Sequence, residues 1–275
     1  MNALLFPGQG SQKVGMGKEI YENFNLVKDI FKEADERLKY NISKIILDGP
    51  TDKLQLTENT QPAILTVSYS IFKILKEEYG FDFKSYECFA GHSLGEYSAL
   101  VCAEALNFDD AIYLLHERGK AMQNAVPVGE GMMIAVLGID LFQLNDLIKN
   151  RKDKNGVCEI ANDNSDGQII ISGDKNNIMH FQNELKENKI KTIPLNVSAP
   201  FHCSLMKPAS EVMREKIQNT NFKNPTKKII NNVTATGASE PNKIKDLLIK
   251  QIYSTVKWRE SIINMFNNGI SNFVE

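Results

Sequence analysis

One serine stands in a setting that favours nucleophilic chemistry. Ser93 is the centre of Gly91-His-Ser-Leu-Gly95, between an apolar segment and a predicted helix. This spacing is typical of a sharp strand-to-helix turn, because side chains at the glycine positions would collide with the crossing strand and helix. Free N–H groups at the helix start favour negative charge, so the Leu94 N–H is a natural oxyanion donor. The pattern predicts a nucleophile; a glycine-flanked turn with an idle serine is the alternative.

A serine nucleophile needs a general base. The chain has four histidines: His92, His116, His180 and His202. We expect His92 to point away from Ser93, since neighbours on a strand face opposite sides, and His180 to lie on a helix surface. His202 follows a predicted strand and a bend, so we expect it on a loop as general base and then general acid. The alternative is a histidine hydrogen-bonded within its loop. No orienting acid stands out between Ser93 and His202, so a backbone carbonyl could fix the imidazole tautomer.

An arginine falls on the apolar face of a predicted helix over residues 109–124. Arg118 shares the stripe of Ala111 and Met122. An inward guanidinium is costly unless an anion meets it. The anion is either an internal carboxylate or a substrate carboxylate gripped by two parallel hydrogen bonds. Gly119 indicates close packing there, because glycine inside a helix otherwise costs about 1 kcal/mol.

The elements around these residues alternate between strand and helix. Residues 3–6 and 86–90 are short apolar segments typical of buried strands. Apolar residues spaced four and three apart predict one helix over 20–38, and another is expected from about 60 to 78. A further helix is expected over 94–105. This alternation indicates an α/β fold with a parallel sheet.

The middle of the chain has a different order of elements. Strands are expected at 132–137, 157–161, 168–172 and 191–195, and helices at 141–149 and 176–187. The order β-α-β-β-α-β is typical of a ferredoxin-like unit. We therefore predict a small inserted α+β domain at 128–197 and a discontinuous large catalytic domain at 1–127 and 198–275. The cleft between them is the expected ligand site.

Composition narrows the class of protein. A net charge of −2 over 275 residues gives no strong attraction to nucleic acid or to anionic membranes. No apolar run reaches the roughly 18 residues of a membrane span, and no basic segment precedes the first apolar stretch, so we expect a cytoplasmic protein. We also expect a monomer. The four cysteines show no zinc spacing, so no metal site is expected. Cys203, beside His202, is either a second candidate nucleophile or a bystander thiol.

Several segments extend these motifs along almost the whole chain. They are Phe6-Pro-Gly-Gln-Gly-Ser-Gln12, Gly91-His-Ser-Leu-Gly-Glu-Tyr-Ser-Ala-Leu100, Glu117-Arg-Gly-Lys-Ala-Met122, Ala125-Val-Pro-Val-Gly-Glu-Gly131, Ala161-Asn-Asp-Asn164, Ser198-Ala-Pro-Phe-His202, and Gln251 followed by Trp258-Arg-Glu-Ser261. Together they resemble the malonyl-CoA:acyl carrier protein transacylase family. The resemblance implies a large α/β-hydrolase-like domain with an inserted ferredoxin-like one.

The resemblance also implies roles for the reacting groups. Ser93 would be the acylated nucleophile and His202 its partner. Arg118 would bind the malonyl carboxylate. The backbone N–H groups of Gln9 and Leu94 would form the oxyanion hole.

Further roles concern the surroundings of this pair. The Gln251 backbone carbonyl would orient His202, and Asn162 and Gln61 would line the pocket. In related polyketide acyltransferases a bulky residue before the histidine accompanies malonyl rather than methylmalonyl, a trend that Phe201 fits.

The implied reaction transfers malonyl from malonyl-CoA to the phosphopantetheine thiol of acyl carrier protein, through a malonyl-serine and without a bound cofactor. It would supply fatty acid or polyketide synthesis. The alternatives are a serine esterase or thioesterase of α/β-hydrolase type, with an acidic triad member and water as acceptor, and a non-catalytic scaffold. Lysines near Gln251 are either a landing patch for the acidic carrier or ordinary solvated side chains: Lys243, Lys245, Lys250 and Lys257. Family members continue after the strand predicted at 270–274 with a glycine-proline loop and a helix, so we expect residues beyond Glu275.

Overall fold

The computed structural model describes residues 1–275. The first part contains β1 (Asn2–Phe6), α1 (Lys18–Asn23), α2 (Asn25–Leu38), α3 (Ile42–Asp48), α4 (Thr51–Gln55), α5 (Thr57–Glu77), β2 (Tyr86–Gly91), α6 (Gly95–Cys102) and α7 (Phe108–Asn124). The middle part contains β3 (Gly131–Leu137), α8 (Leu141–Lys149), β4 (Cys158–Ser165), β5 (Gln168–Asp174), α9 (Lys175–Glu187) and β6 (Lys191–Pro194). The last part contains α10 (Lys207–Asn219), β7 (Lys228–Ile230), β8 (Gly237–Ala238), α11 (Pro241–Gln251), α12 (Trp258–Asn267) and β9 (Asn272–Val274). Short 3₁₀ turns at Phe83–Ser85 and Ser204–Met206 precede β2 and α10.

Five strands form a mostly parallel sheet in the order β8-β7-β2-β1-β9, in which only β7 and β8 are antiparallel. The central pair sets Phe6 beside Gly91, so β1 and β2 end at the same edge. The carboxyl ends of such strands are where open α/β sheets bind ligands. The mixed α/β fold predicted from the alternating pattern is confirmed.

Four strands of the middle part form a separate antiparallel sheet in the order β4-β5-β3-β6. Side chains along β3 alternate between two environments, as the period of a strand requires. Ile134 and Val136 pack with α8 and α9 in a small core, whereas Met133 and Ala135 join the main core. One face of the antiparallel sheet therefore packs in the small core with α8 and α9, and the other face packs against the rest of the protein.

The single helix predicted over 20–38 is wrong. Phe24 is extended, with φ −122° and ψ 119°, and it separates α1 from α2. Its ring packs 6.3 Å from the ring of Tyr79, while those of Tyr21 and Phe31 lie 5.1 Å apart. Apolar spacing persists through the break because one extended residue does not remove its neighbours from the core.

Helix α5 begins at Thr57, three residues before the expected start, so Pro62 lies in its second turn. Proline has no N–H to bond the carbonyl four residues earlier. That carbonyl, on Glu58, lies 3.0 Å from His116 Nδ1 instead. A Cβ on Gly119 would lie 2.5 Å from the Glu58 Cα, so α5 and α7 pack backbone to backbone, as the glycine predicted.

Other boundaries shift by a few residues. Strand β4 runs on to Ser165, α6 ends at Cys102 rather than at residue 105, and β9 begins at Asn272 rather than at residue 270. Element ends are the least certain part of any assignment from pattern. No helix combines the length and apolar composition that crossing a membrane would require.

Candidate active site

A strained turn presents Ser93 at the end of β2. Its φ is 53°, in the left-handed region that residues other than glycine rarely adopt. A Cβ on Gly91 would lie 1.9 Å from the Gly95 carbonyl carbon, and one on Gly95 would lie 2.5 Å from the Phe6 carbonyl oxygen. A side chain at either glycine position would therefore collide with the neighbouring backbone, which explains the Gly-x-Ser-x-Gly spacing.

Ser93 is paired with a histidine 109 residues further along the chain. Its Oγ lies 2.8 Å from His202 Nε2, and His202 Nδ1 lies 2.9 Å from the Gln251 backbone carbonyl oxygen. A carbonyl can only accept, so Nδ1 carries the proton and Nε2 offers a lone pair to the serine hydroxyl. Both side chains are buried. The geometry is that of a nucleophile–base dyad with a carbonyl in the orienting position.

Burial determines the charge state of His202. Burial, and next the nearby Arg118 guanidinium, lower the pKa of His202 to about 3, while the hydrogen bond to the Gln251 carbonyl opposes them. The imidazole is therefore neutral near pH 7 and available as a proton acceptor.

Two backbone N–H groups beside the nucleophile are free. Those of Gln9 and Leu94 donate no hydrogen bond within the protein, and both residues line the cavity around Ser93. Leu94 immediately precedes α6, where the helix dipole adds to the attraction for negative charge. The Thr57 hydroxyl donates to Gln9 Oε1 at 3.0 Å and restrains that loop. Both groups are placed to serve as oxyanion donors.

Arg118 is a buried cation next to the nucleophile, with 1% of its surface exposed. Nη2 donates to Ser93 Oγ at 3.1 Å and to Gln251 Oε1 at 2.9 Å, Nη1 donates to Gln61 Oε1 at 2.7 Å, and Nε has no partner. All three acceptors are uncharged, so the internal ion pair left open by the sequence is absent. Such a guanidinium favours an anionic ligand.

A hydrogen-bond network lies behind these groups. The Gln251 amide Nε2 donates to Glu96 Oε2 at 2.7 Å, to the Ser93 carbonyl at 3.1 Å and to Asn232 Oδ1 at 3.3 Å. Asn232 Oδ1 accepts from the Ser93 N–H at 2.7 Å, and its amide donates to the Gly91 carbonyl at 2.8 Å. The network therefore holds the turn that carries Ser93 at both Gly91 and Ser93.

Sequence reasoning did not identify Glu96 or Asn232. Every residue of α6 is buried, so an acidic residue there requires partners, and this signal was visible in the apolar run after Ser93. Burial raises the pKa of Glu96 to about 7, against the hydrogen bonds from the Asn232 N–H and Gln251 and the charge of Arg118. Asn232 follows β7 and carries no comparable signal in the sequence.

The cavity around Ser93 has a volume of about 290 Å³ and lies between the two sheets. Gln61 and Phe201 line it from the side of the large sheet, and Asn162 of β4 lines it from the small sheet. The structure thus brings every sequence-predicted site residue to one place, apart from Gln251, which lies directly behind the cavity and contacts Arg118.

The other histidines and Cys203 lie outside the reacting pair. The expectation that His92 faces away is wrong, because it follows the last residue of β2, where strand alternation ends. It lines the same cavity, with Nε2 2.9 Å from Asn164 Oδ1. His180 is exposed, as expected. Burial raises the pKa of Cys203 to about 11, so it is a protonated bystander.

Comparison with known proteins places this geometry among acyl-transferring enzymes. Residues 3–275 match the family described as the acyl transferase domain. The chain is 45% identical to the malonyl CoA-acyl carrier protein transacylase of Bacillus subtilis, over 99% of this chain and 85% of that protein. It is 37% identical to the Escherichia coli protein of the same name, over 99% of this chain and 87% of that one.

Solved structures give the same result. An acyl-carrier-protein S-malonyltransferase from Bartonella henselae superposes with a TM-score of 0.95 at 40% identity, covering 99% of this chain and 87% of that one. A malonyl-transacylase solved in complex with its type II polyketide synthase acyl carrier protein superposes with a TM-score of 0.94 at 36% identity, with the same coverage.

Proposed function

This chain belongs to the acyl transferase domain family, and from that premise we propose that it transfers malonyl from malonyl-CoA to an acyl carrier protein. One observation carries the proposal: the Arg118 guanidinium lies 3.1 Å from the Ser93 hydroxyl without a carboxylate partner. In a malonyl thioester one methylene separates the carboxylate from the reacting carbonyl. A cation that binds that carboxylate must therefore lie beside the nucleophile.

The first half-reaction loads the serine. His202 Nε2 accepts the Ser93 proton while Oγ attacks the thioester carbonyl carbon. The Gln9 and Leu94 N–H groups receive the negative charge that develops on the carbonyl oxygen. The carbon–sulfur bond then breaks, and the departing coenzyme A sulfur takes the proton from His202. Malonyl is left as an ester of Ser93.

The second half-reaction unloads it. The phosphopantetheine thiol of the carrier gives its proton to His202 and attacks the ester carbonyl. The bond to Oγ breaks, and the proton returns to Ser93. Arg118 holds the malonyl carboxylate through both halves, so the acyl group keeps its position while one thiol replaces the other. No resident cofactor takes part in these steps.

The alternative of a serine esterase or thioesterase has less support. It would place a carboxylate on His202 Nδ1, where the Gln251 carbonyl lies instead. It also gives no reason for a buried guanidinium at the nucleophile. An esterase would turn over malonyl-CoA repeatedly in the absence of a carrier.

The four lysines near Gln251 give limited support to a carrier-docking patch. Lys243 and Lys250 are exposed on α11. Lys245 donates to the Gln218 carbonyl at 2.8 Å, toward α10, and Lys257 pairs with Glu260 at 3.2 Å. We therefore propose only Lys243 and Lys250 as carrier contacts.

We also propose the domain division 1–127 with 198–275 around an inserted 128–197. The strand order β4-β5-β3-β6 supports a ferredoxin-like inserted unit, and the parallel sheet with its serine turn supports an α/β-hydrolase-like large unit. We propose a cytoplasmic location, supported by four free, buried cysteines. We also propose a monomer, which light scattering would test.

Intact-mass spectrometry after brief exposure to malonyl-CoA tests the function. We expect the wild type to gain one malonyl group, which disappears when a phosphopantetheinylated carrier is added. Ser93→Ala should gain none. Ser98 is a buried serine of α6, the helix that follows Ser93, and it has no hydrogen-bond partner. Ser98→Ala is therefore the matched control and should be acylated. A wild type that gains no mass contradicts the proposal.

A further inference from the structure

Glu96 is a buried carboxyl group that the reaction steps above do not use. It lies in the first turn of α6, three residues after the nucleophile, and is 1% exposed. Its Oε2 accepts two hydrogen bonds, from Gln251 Nε2 at 2.7 Å and from the Asn232 N–H at 3.0 Å. Its Oε1 accepts none. The Glu96 carboxyl group therefore makes hydrogen bonds only to these two donors, which lie behind the active site.

The Gln251 amide can occupy this place in two orientations, and Glu96 distinguishes them. In the observed orientation Nε2 faces Glu96 while Oε1 accepts from Arg118 Nη2 at 2.9 Å. A flipped amide would set its NH₂ against the guanidinium and its oxygen against the carboxyl oxygens. Donor would then face donor and acceptor would face acceptor, inside a buried network.

We propose that Glu96 is a positioning residue that fixes the Gln251 amide and, through it, the Arg118 guanidinium beside Ser93. The same residue Gln251 supplies the carbonyl that holds His202. Glu96 thus couples the group that binds the acyl carboxylate to the group that orients the base. The inference rests on the proposed malonyl transfer and identifies what sets its selectivity for a carboxylated acyl group.

An accepting oxygen, rather than a charge, is what this role requires. Both donors meet Oε2, which can accept hydrogen bonds in a carboxylate and also in a carboxyl group protonated on Oε1. Glu96→Gln keeps one oxygen for these two donors and sets its NH₂ where Oε1 has no hydrogen-bonding donor. Glu96→Ala removes the acceptor. Gln251→Met removes the amide but keeps the backbone carbonyl and a similar side-chain volume.

Serine acylation by malonyl-CoA and by acetyl-CoA, measured side by side as rates of mass gain, tests the proposal. We expect Glu96→Ala and Gln251→Met to lower the malonyl rate about 10- to 100-fold, as misplacement of a binding group does. The acetyl rate should fall much less, because acetyl has no carboxylate for Arg118. Glu96→Gln should keep the wild-type ratio of malonyl to acetyl, and Ser98→Ala is the control within α6. The double variant should lose less than the product of the two single losses, because both changes remove the contact between Glu96 and Gln251.

A merely structural Glu96 would lower both rates equally and leave their ratio unchanged, which would overturn the proposal. If Glu96→Ala does not fold, Gln251→Met and Glu96→Gln decide: an unchanged ratio in Gln251→Met, or a lost ratio in Glu96→Gln, overturns it as well. A wild type that is not acylated in the same assay would instead contradict the proposed function.

Discussion

The two sheets contribute different things to one cavity. The region of the parallel sheet supplies Ser93, His202 and Arg118, the proposed catalytic and carboxylate-binding groups. Ser93 and His202 have positive φ, and Arg118 is a buried cation. The antiparallel sheet supplies uncharged side chains such as Met133 and Asn162. Backbone strain and buried charge are therefore concentrated on the large-sheet side of the cavity, whereas the small sheet lines the cavity with uncharged side chains.

The two sides of the cavity should therefore respond differently to substitution. Groups on the large-sheet side exchange a proton or bind the acyl carboxylate in the proposed reaction, so their loss should reduce rate. Groups on the small-sheet side only contact the acyl group or support the core, so their loss should reduce stability or fit. Four experiments test that division, in order of decreasing expected effect.

A comparison of histidines from the two regions should give the largest contrast. His202→Ala removes the base that activates Ser93, and we expect malonyl-serine formation to slow by about 10² to 10⁴-fold. His180→Ala, on the exposed face of α9, should leave the rate unchanged. Rapid-quench measurement of the acyl-enzyme gives both rates. Similar rates for the two variants would contradict the assigned base.

Two arginines offer the next contrast. Arg118→Ala should slow malonyl acylation about 10- to 100-fold, since hydrogen bonds to charged groups contribute about 1.5–3 kcal/mol, and should hardly affect acetyl acylation. Arg259 binds Asp163 of β4 at 2.9 Å, and Arg259→Ala should affect neither. Equal losses with malonyl and acetyl would refute the carboxylate clamp.

The pH dependence of acylation tests the burial of the base. With the pKa of His202 lowered to about 3, the rate should stay level from about pH 7 to about pH 5, where a histidine of ordinary pKa would have lost most of its basic form. The unfolded chain binds this proton near pH 6.5 and the folded chain near pH 3. The contribution to the free energy of unfolding is therefore lost as pH falls between those values. A tenfold loss of rate per unit below pH 6.5 would show an ordinary histidine.

A substitution on the small sheet should have the smallest effect on rate. Met133 packs in the main core and also lines the cavity, so Met133→Ala should lower the free energy of unfolding by about 2–5 kcal/mol. The acylation rate of the folded fraction should change little, because no reacting group is lost. Denaturant unfolding and single-turnover kinetics separate the two effects. A rate loss comparable to that of Arg118→Ala would contradict the proposal that the small sheet affects stability rather than rate.

The local patterns of the sequence predicted the individual helices and strands better than the points where those elements break or end. Strand β1, helix α8 and the order of elements in the middle part were recognisable, because a strand buried on both faces is continuously apolar and an element buried on one face shows a period of two or 3.6. The break at Phe24 was not, since packing against Tyr79 comes from a distant segment. His92 was misjudged for a similar reason: strand alternation says nothing beyond the end of β2.

Local features of the sequence were enough to propose the reacting groups: a serine between two glycines, a histidine on a distant loop and an arginine on an apolar stripe each break a local rule. Which of these groups come into contact depends on the tertiary structure. The Gln251 amide, Glu96 and Asn232 act through contacts between residues as far as 158 positions apart. Such contacts leave no periodic trace, because hydrogen bonding across a buried site depends on how the elements pack and not on spacing along the chain.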